Sequence, residues 1–270
     1  MKRNEINELY QHIQEQIKFL QSVTETPLHQ NKDLQTILGI KPSPMLNAIN
    51  QSRELSRLAA LDFGKLIQGA ADDVEKSKRI ILEYGFPPHY ELNIKQFRAI
   101  AKCYEENGKE QTDKLLDEFF LKFFNDEKIS GFLKKWLTIE WLDVRHIILQ
   151  EAISAHLQGM HYASISTLLP QIEGVIYERN GFIGRAVMQD LKDFSNLLLN
   201  ESGDFTLDSA VHTFYTGTVL TGFVFGQEII SPLSRHAILH GADTKFGYKL
   251  NSIRCIVLFD YLIDRFANLD

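Results

Sequence analysis

The chain of 270 residues carries 35 Asp and Glu against 29 Lys and Arg, a formal net charge of −6, and 44% of its residues are hydrophobic. That hydrophobic share supports a sizeable core, and only 7 Pro and 16 Gly leave a sequence rich in helix-forming residues. The acidic balance excludes a protein that binds nucleic acid through a broadly basic face.

The cysteines and the N-terminus indicate the compartment. Cys103 and Cys255 lie in apolar helical segments, which predicts free thiols in a reducing environment. No C-x-x-C pair occurs, so we expect no zinc site. The N-terminus is charged and has no apolar signal segment, and no run approaches 18 apolar residues. The sequence therefore predicts a cytoplasmic protein without a membrane span.

Apolar residues recur at helical intervals from residue 6 to residue 266, and no alternating run is bounded by hairpin turns. We therefore expect an all-α protein. The apolar stripe of the first segment suits a helix that docks on its own domain or on a partner protein. The predicted helices, separated by Pro, Gly and polar breaks, are 6–20, 45–84, 93–107, 111–124, 136–157, 162–177, 183–199, 204–220, 231–240 and 252–266.

Charge divides the chain unevenly. Residues 1–139 hold 20 basic and 20 acidic side chains, whereas residues 140–270 hold 9 and 15. Aromatic content also changes near residues 125–135. We interpret this as an N-terminal helical region, 1–130, followed by a helical bundle, 131–270.

The chemistry-bearing pattern is Arg-x4-His, formed by Arg235 and His240. RNA contains its own nucleophile, the 2′-hydroxyl. Cleavage therefore needs a base, an acid and a positively charged side chain beside the phosphate. A His side chain titrates near neutrality, and an Arg guanidinium donates two parallel hydrogen bonds to phosphate oxygens. In-line transfer needs groups on both sides of phosphorus, and one pair supplies one side. A two-fold dimer supplies both without metal.

The local context of this pattern favours a site. Ser231-Pro232 is typical of a helix N-cap followed by Pro at the first helical position, and Gly241 ends the helix beside His240. Arg235 then falls in the first turn, where backbone N–H groups attract anions. Taken alone, the pattern is weak and favours an ordinary surface Arg and a helix-terminal His.

The surrounding sequence resembles HEPN domains, in particular those of bacterial abortive-infection and defence-type proteins. The resemblance covers residues 136–267. It implies a helical-bundle homodimer that cleaves RNA without metal, with Arg235 on phosphate and His240 as acid or base. Many HEPN domains have a polar residue such as Asn where this chain has His236. The similar segments are 145–149, 165–174, 234–244, 246–248 and 251–252.

Further residues are candidates for supporting roles. Glu173 lies in an apolar helix and needs a partner, which the sequence leaves open among His240, Arg235 and Arg145. His236 either hydrogen-bonds as Asn would or adds a titrating group. Arg179 and Arg185 flank two glycines in a turn that suits either phosphate or a plain helix connection.

Other classes of enzyme lack their motifs. His146, His156 and His161 do not have the spacing of metal ligands, and no Walker loop, Gly-x-Ser-x-Gly or His-Glu-x-x-His occurs. We expect no cofactor and no metal. The leading hypothesis is a homodimeric, metal-independent endoribonuclease, a toxin or phage-defence effector with a regulatory protein partner. The alternative is a non-catalytic module that binds a nucleotide or a partner protein.

Overall fold

The computed structural model describes residues 68–199 and 206–268, and every structural statement below refers to them. The helix predicted at 6–20 and most of the one predicted at 45–84 lie outside the described residues. By contacts, the chain divides between Asp72 and Asp73 into two units, and all described residues except 68–72 belong to the second. Side chains from both sides of residue 130 share its core, and a division at residue 130 stays a prediction.

The regular secondary structure of the described residues is all helical, with no strand, which confirms the predicted all-α class. None of their helices is both long and apolar enough to cross a membrane. The helices are residues 68–83 (α1), Ile94–Phe123 (α2), Asp126–Trp136 (α3), His146–Leu157 (α4), His161–Arg179 (α5), Met188–Leu199 (α6), Leu207–Phe214 (α7), Arg235–Leu239 (α8) and Lys249–Ala267 (α9), with a 3₁₀ turn at Glu140–Arg145 and a π turn at Tyr215–Val219.

Several breaks fall where Gly and Asn predict them. Gly85 follows α1 with a φ of 76°, a conformation that favours glycine. Asn93 caps α2 in a reciprocal capping box with Gln96. Inside α2, Gly108 has a φ of 71° and divides the helix at the gap predicted between residues 107 and 111.

Three predicted helices differ from those observed. The segment 136–157 is not one helix, because α3 ends at Trp136 and a 3₁₀ turn precedes α4. The segment 183–199 becomes helical only at Met188. The segment 204–220 changes from α to π at Tyr215. The first and third departures involve a 3₁₀ or a π turn, which apolar spacing does not reveal, whereas residues 183–187 form no helix.

The last helix, α9, forms the centre of the unit. It packs against α2, α3 and α5, and its residues 251–263 are buried without interruption. Cys255 lies there as a free thiol whose pKa is raised by burial, while Cys103 is free and half-buried. Both described cysteines are therefore unpaired, as predicted. A helix that is buried on all sides must also satisfy its polar side chains internally.

Asp260 is the fully buried carboxylate of α9. Trp136 Nε1 donates to its Oδ1 at 2.7 Å, Lys135 Nζ lies 2.5 Å from the same oxygen, and His89 Nε2 lies 3.3 Å from Oδ2. The hydroxyl of Tyr90 donates to Oδ2 as well. Burial acts to raise the pKa of Asp260, but the His89 hydrogen bond and the Lys135 charge outweigh it and lower this pKa to about 2.

Asp260→Asn is expected to lower the free energy of unfolding at pH 6 by about 2 kcal/mol, because it removes the counter-charge of Lys135, whose side chain is 37% exposed, and disturbs the hydrogen bonds that the buried carboxylate accepts. The folded pKa lies below the ordinary value of 3.8. The stabilisation from Asp260 is thus present above pH 4 and lost as the pH falls toward 2. Between pH 4 and pH 2, the difference in free energy of unfolding between wild type and Asp260→Asn should therefore decrease by on the order of 2 kcal/mol.

Urea unfolding followed by circular dichroism between pH 2 and pH 6 measures this difference. Glu110→Gln is the matched control, because the Glu110 side chain is 89% exposed in its pair with Lys114. That control should lie close to wild type at every pH. An Asp260→Asn variant as stable as wild type at pH 6 would contradict the central role of the carboxylate.

Candidate functional site

The Arg-x4-His pattern lies on α8, a helix of five residues. Its N-cap is Ser234, whose Oγ accepts from the Ala237 amide at 3.3 Å and donates to the Thr221 carbonyl at 3.0 Å. The predicted N-cap at Ser231 is therefore wrong by three residues. The Ser231 hydroxyl donates instead to the Thr218 carbonyl at 2.6 Å. Arg235 is the first helical residue, which agrees with the predicted first-turn position.

The end of α8 is closed by a glycine in a left-handed conformation. Gly241 has a φ of 73°, its amide donates to Ile238, and the Ala242 amide donates to Ala237 at 2.8 Å. This pair of bonds is a Schellman motif. Ala237 and Ile238 are buried, so they anchor the helix while His240, at the C-cap, is exposed.

Arg235 and Glu173 form an ion pair with two contacts. Arg235 Nη2 donates to Glu173 Oε2 at 2.8 Å, and Arg235 Nε contacts Oε1. The side chains are 24% and 13% exposed. Burial raises the pKa of Glu173, and the Arg235 charge opposes that rise. Of the three partners that the sequence left open for Glu173, the structure brings Arg235 to it.

Arg145 is engaged elsewhere on α5. Its Nη1 donates to Gln171 at 2.7 Å and its Nη2 to Glu178 at 2.7 Å. The guanidinium lies against Gly174, where a Cβ would come within 2.9 Å of both terminal nitrogens. Gly174 thus permits Arg145 to lie flat on α5, which leaves Glu173 available to Arg235.

His236 and His240 share one face of α8. Their rings are nearly parallel, at 4°, with centroids 5.8 Å apart. His236 Nδ1 lies 3.5 Å from Arg235 Nη1, the guanidinium nitrogen that Glu173 does not contact. Burial, Arg235 and His240 together lower the pKa of His236, which favours its neutral form. Two imidazoles and one edge of a guanidinium therefore lie side by side.

An open pocket of about 390 Å³ lies beside these imidazoles. It is lined by Gly222, Phe223, Phe225, His236 and His240. The two Phe residues come from the connection between the π turn and α8, a segment that the sequence analysis did not single out. Two aromatic residues between Gly222 and Gly226 were the available signal for it.

Tyr215 is a second group that the sequence analysis missed. It opens the π turn, is fully buried, and its hydroxyl has no hydrogen-bond partner among the described residues. Burial raises its pKa well above the ordinary value, and the neighbouring charge of Glu173 adds to this effect. A π turn has no signature in apolar spacing, so this position could not be read from the sequence.

Arg179 and Arg185 flank a turn away from the pocket. Arg179 lies over the ring of Trp141, with its Cζ 4.7 Å from the centroid. Gly181 has a φ of 62°, its amide donates to the Glu178 carbonyl, and the Phe182 amide donates to the Tyr177 carbonyl, which together form a second Schellman motif at the end of α5. Arg185 is exposed after this turn. The sequence left open a phosphate-binding turn or a plain helix connection for this segment, and its geometry resembles a helix connection.

The other histidines are held by local contacts. His156 is buried, its Nδ1 lies 2.8 Å from Ser252 Oγ, and its ring centroid is 5.3 Å from that of His161. Burial and His161 lower the pKa of His156 to about 4. His146 Nε2 lies 3.5 Å from Asp143. In the part of the chain that is described, no three His, Cys, Asp or Glu side chains form a group able to hold a metal ion.

Comparisons with family models, with curated proteins and with solved structures found no match to this chain. The likeness to HEPN domains therefore depends on the motifs of residues 136–267 alone.

Removing the Glu173 charge is expected to destabilise the fold. Glu173→Gln leaves Arg235 half-buried without its counter-ion, and the free energy of unfolding should fall by about 2 kcal/mol. Glu110→Gln is the control, because Glu110 is 89% exposed and its partner Lys114 is 65% exposed. It should change stability by less than about 1 kcal/mol.

A double-mutant cycle tests the coupling directly. Arg235→Gln combined with Glu173→Gln should cost less than the sum of the two single substitutions, by on the order of 1 kcal/mol. Urea unfolding of the four proteins measures it. Strictly additive costs would mean that the two side chains do not stabilise each other.

Proposed function

We propose that this chain is a metal-independent endoribonuclease of the HEPN type that acts on single-stranded RNA as a homodimer in the cytoplasm. One observation carries the proposal: a single short helix presents Arg235, His236 and His240 beside an open pocket, with Arg235 oriented by Glu173. Arg235 and His240 match the Arg and His of the HEPN signature that the sequence resembles, whereas His236 stands where many HEPN domains have a polar residue such as Asn.

The chemistry follows from what each side chain offers. A neutral imidazole removes the proton of the 2′-hydroxyl, whose oxygen attacks phosphorus and forms the cyclic phosphate. A protonated imidazole gives its proton to the 5′-oxygen as the P–O5′ bond breaks. Arg235 Nη1, which lies 3.5 Å from His236 Nδ1, stabilises the charge that builds on the phosphate oxygens. Glu173 fixes the guanidinium by its opposite edge.

The homodimer belongs to this proposal because in-line transfer needs proton carriers on both sides of phosphorus. The Arg235 and His240 of one chain supply one side. A second copy related by two-fold symmetry supplies the other. The apolar helices of residues 136–267 provide the interface in this proposal, and the resemblance suggests a toxin or phage-defence role with a regulatory protein partner.

The rival function is a non-catalytic helical module that binds a nucleotide or a partner protein. Two observations favour it. The Arg235 charge is already neutralised by Glu173, and residues 140–270 carry 15 acidic against 9 basic side chains. In this alternative the pocket binds without cleaving, so RNA cleavage separates the two functions.

Single-stranded RNA is expected to be cut to 2′,3′-cyclic phosphate and 5′-hydroxyl ends in the presence of EDTA, and DNA should survive. His240→Ala should lower the rate on the order of 100-fold or more, and Arg235→Ala comparably. Product ends are identified by gel migration and mass spectrometry. His146→Ala is the matched control, because this His lies on α4 outside the pocket lining. Full activity in His240→Ala, or its loss with EDTA, would overturn the catalytic proposal.

The full-length protein is expected to sediment as a homodimer at micromolar concentration, because a single chain lacks the second Arg–His pair. Sedimentation velocity over a concentration series measures this directly. A monomer that still cleaves RNA would contradict the dimer mechanism. A monomer without activity would favour the non-catalytic module.

A further inference from the structure

The connection that precedes α8 presents two aromatic rings to the pocket. Phe223 is half-buried, whereas Phe225 is 70% exposed. Their centroids are 4.9 Å apart at an interplanar angle of 73°, so the edge of one ring meets the face of the other. The ring of Phe223 lies 6.2 Å from that of His240 at 34°. An aromatic surface thus adjoins the imidazole of the Arg-x4-His pattern.

Two serine hydroxyls join the ends of this connection. Ser231 Oγ donates to the Thr218 carbonyl at 2.6 Å, and Ser234 Oγ donates to the Thr221 carbonyl at 3.0 Å. Because Ser234 also caps α8, the start of the connection that carries the two aromatic rings is bonded to the helix that carries Arg235 and His240.

We propose that Phe223 and Phe225 form a base-binding subsite, in which an unpaired nucleobase next to the scissile phosphate stacks on the ring of Phe225. The inference rests on the proposed function, since it assigns the substrate that the same site takes. Every nucleobase has a flat π face, and stacking on an aromatic side chain provides affinity without sequence readout.

The lining of the pocket favours a nucleobase over an aliphatic side chain. Four of its five residues are aromatic or imidazole rings, and the fifth, Gly222, adds no side chain. A base is separated from its phosphate by one ribose, and the pocket adjoins the groups assigned to phosphate. A base within a duplex is stacked on its neighbours, so only an unpaired or flipped nucleotide reaches Phe225. The subsite accordingly selects single-stranded RNA.

The test uses a substrate that cannot be cut. A 2′-O-methyl RNA oligonucleotide lacks the free nucleophile, and a 2-aminopurine placed within it loses fluorescence when it stacks. We expect binding with quenching by the wild-type protein. Phe225→Ala and Phe225→Leu should weaken binding on the order of tenfold and abolish the quenching, because neither offers a ring. Phe225→Tyr, which keeps the ring, should retain both.

Val224→Ala is the matched control, since Val224 is 59% exposed on the same segment and does not line the pocket. It should bind like wild type. Absent binding by the wild type, or equal binding by Phe225→Leu, overturns the subsite. Loss of the dimer in Phe225→Ala by sedimentation also overturns it, because Phe225 would then be a contact between copies. Binding and quenching without cleavage of unmodified RNA would support the subsite while refuting the nuclease.

Discussion

The carboxylate of Asp260 is the constraint around which the described unit is organised. It lies in the middle of α9, and it gathers His89 and Tyr90 from the segment after α1 and Lys135 and Trp136 from the end of α3. A charge in an apolar core is stable only with such partners. The requirement therefore fixes how two separate stretches of chain approach the central helix.

The candidate site depends on this core through α5. That helix packs on α9 through one face and presents Glu173 to α8 from another. Arg235 is thus oriented by a carboxylate whose own position is set by the packing of two long helices. The imidazoles of His236 and His240 project from the same short helix, whereas the aromatic rings of the pocket come from the chain just before it. Side chains of a helix and of the connection before it therefore line the same pocket.

Local sequence predicts several helix breaks, since Asn93, Gly108 and Gly241 act through their own backbone or through residues three positions away, but it missed α3, Asp126–Trp136. It fails where register changes within a helix, as at Tyr215, and where two serines compete to begin one, as at Ser231 and Ser234. Arg235 and His240 could be singled out from their spacing. The partner of Glu173 could not, because 62 residues separate it from Arg235 and only tertiary packing brings them together.

Because α8 is short, the geometry of the Arg-x4-His motif cannot be transferred to another protein with its sequence alone. Five residues are far too few to form a helix in water, since nucleation alone exceeds what so few hydrogen bonds return. The helix exists because Ser234 begins it, Gly241 ends it, and Ala237 and Ile238 are held in the core. Arg235 and His240 therefore acquire their spacing in three dimensions from the rest of the bundle. If residues 234–241 were grafted into a loop of another protein, they would keep the Arg-x4-His sequence but not its helical geometry.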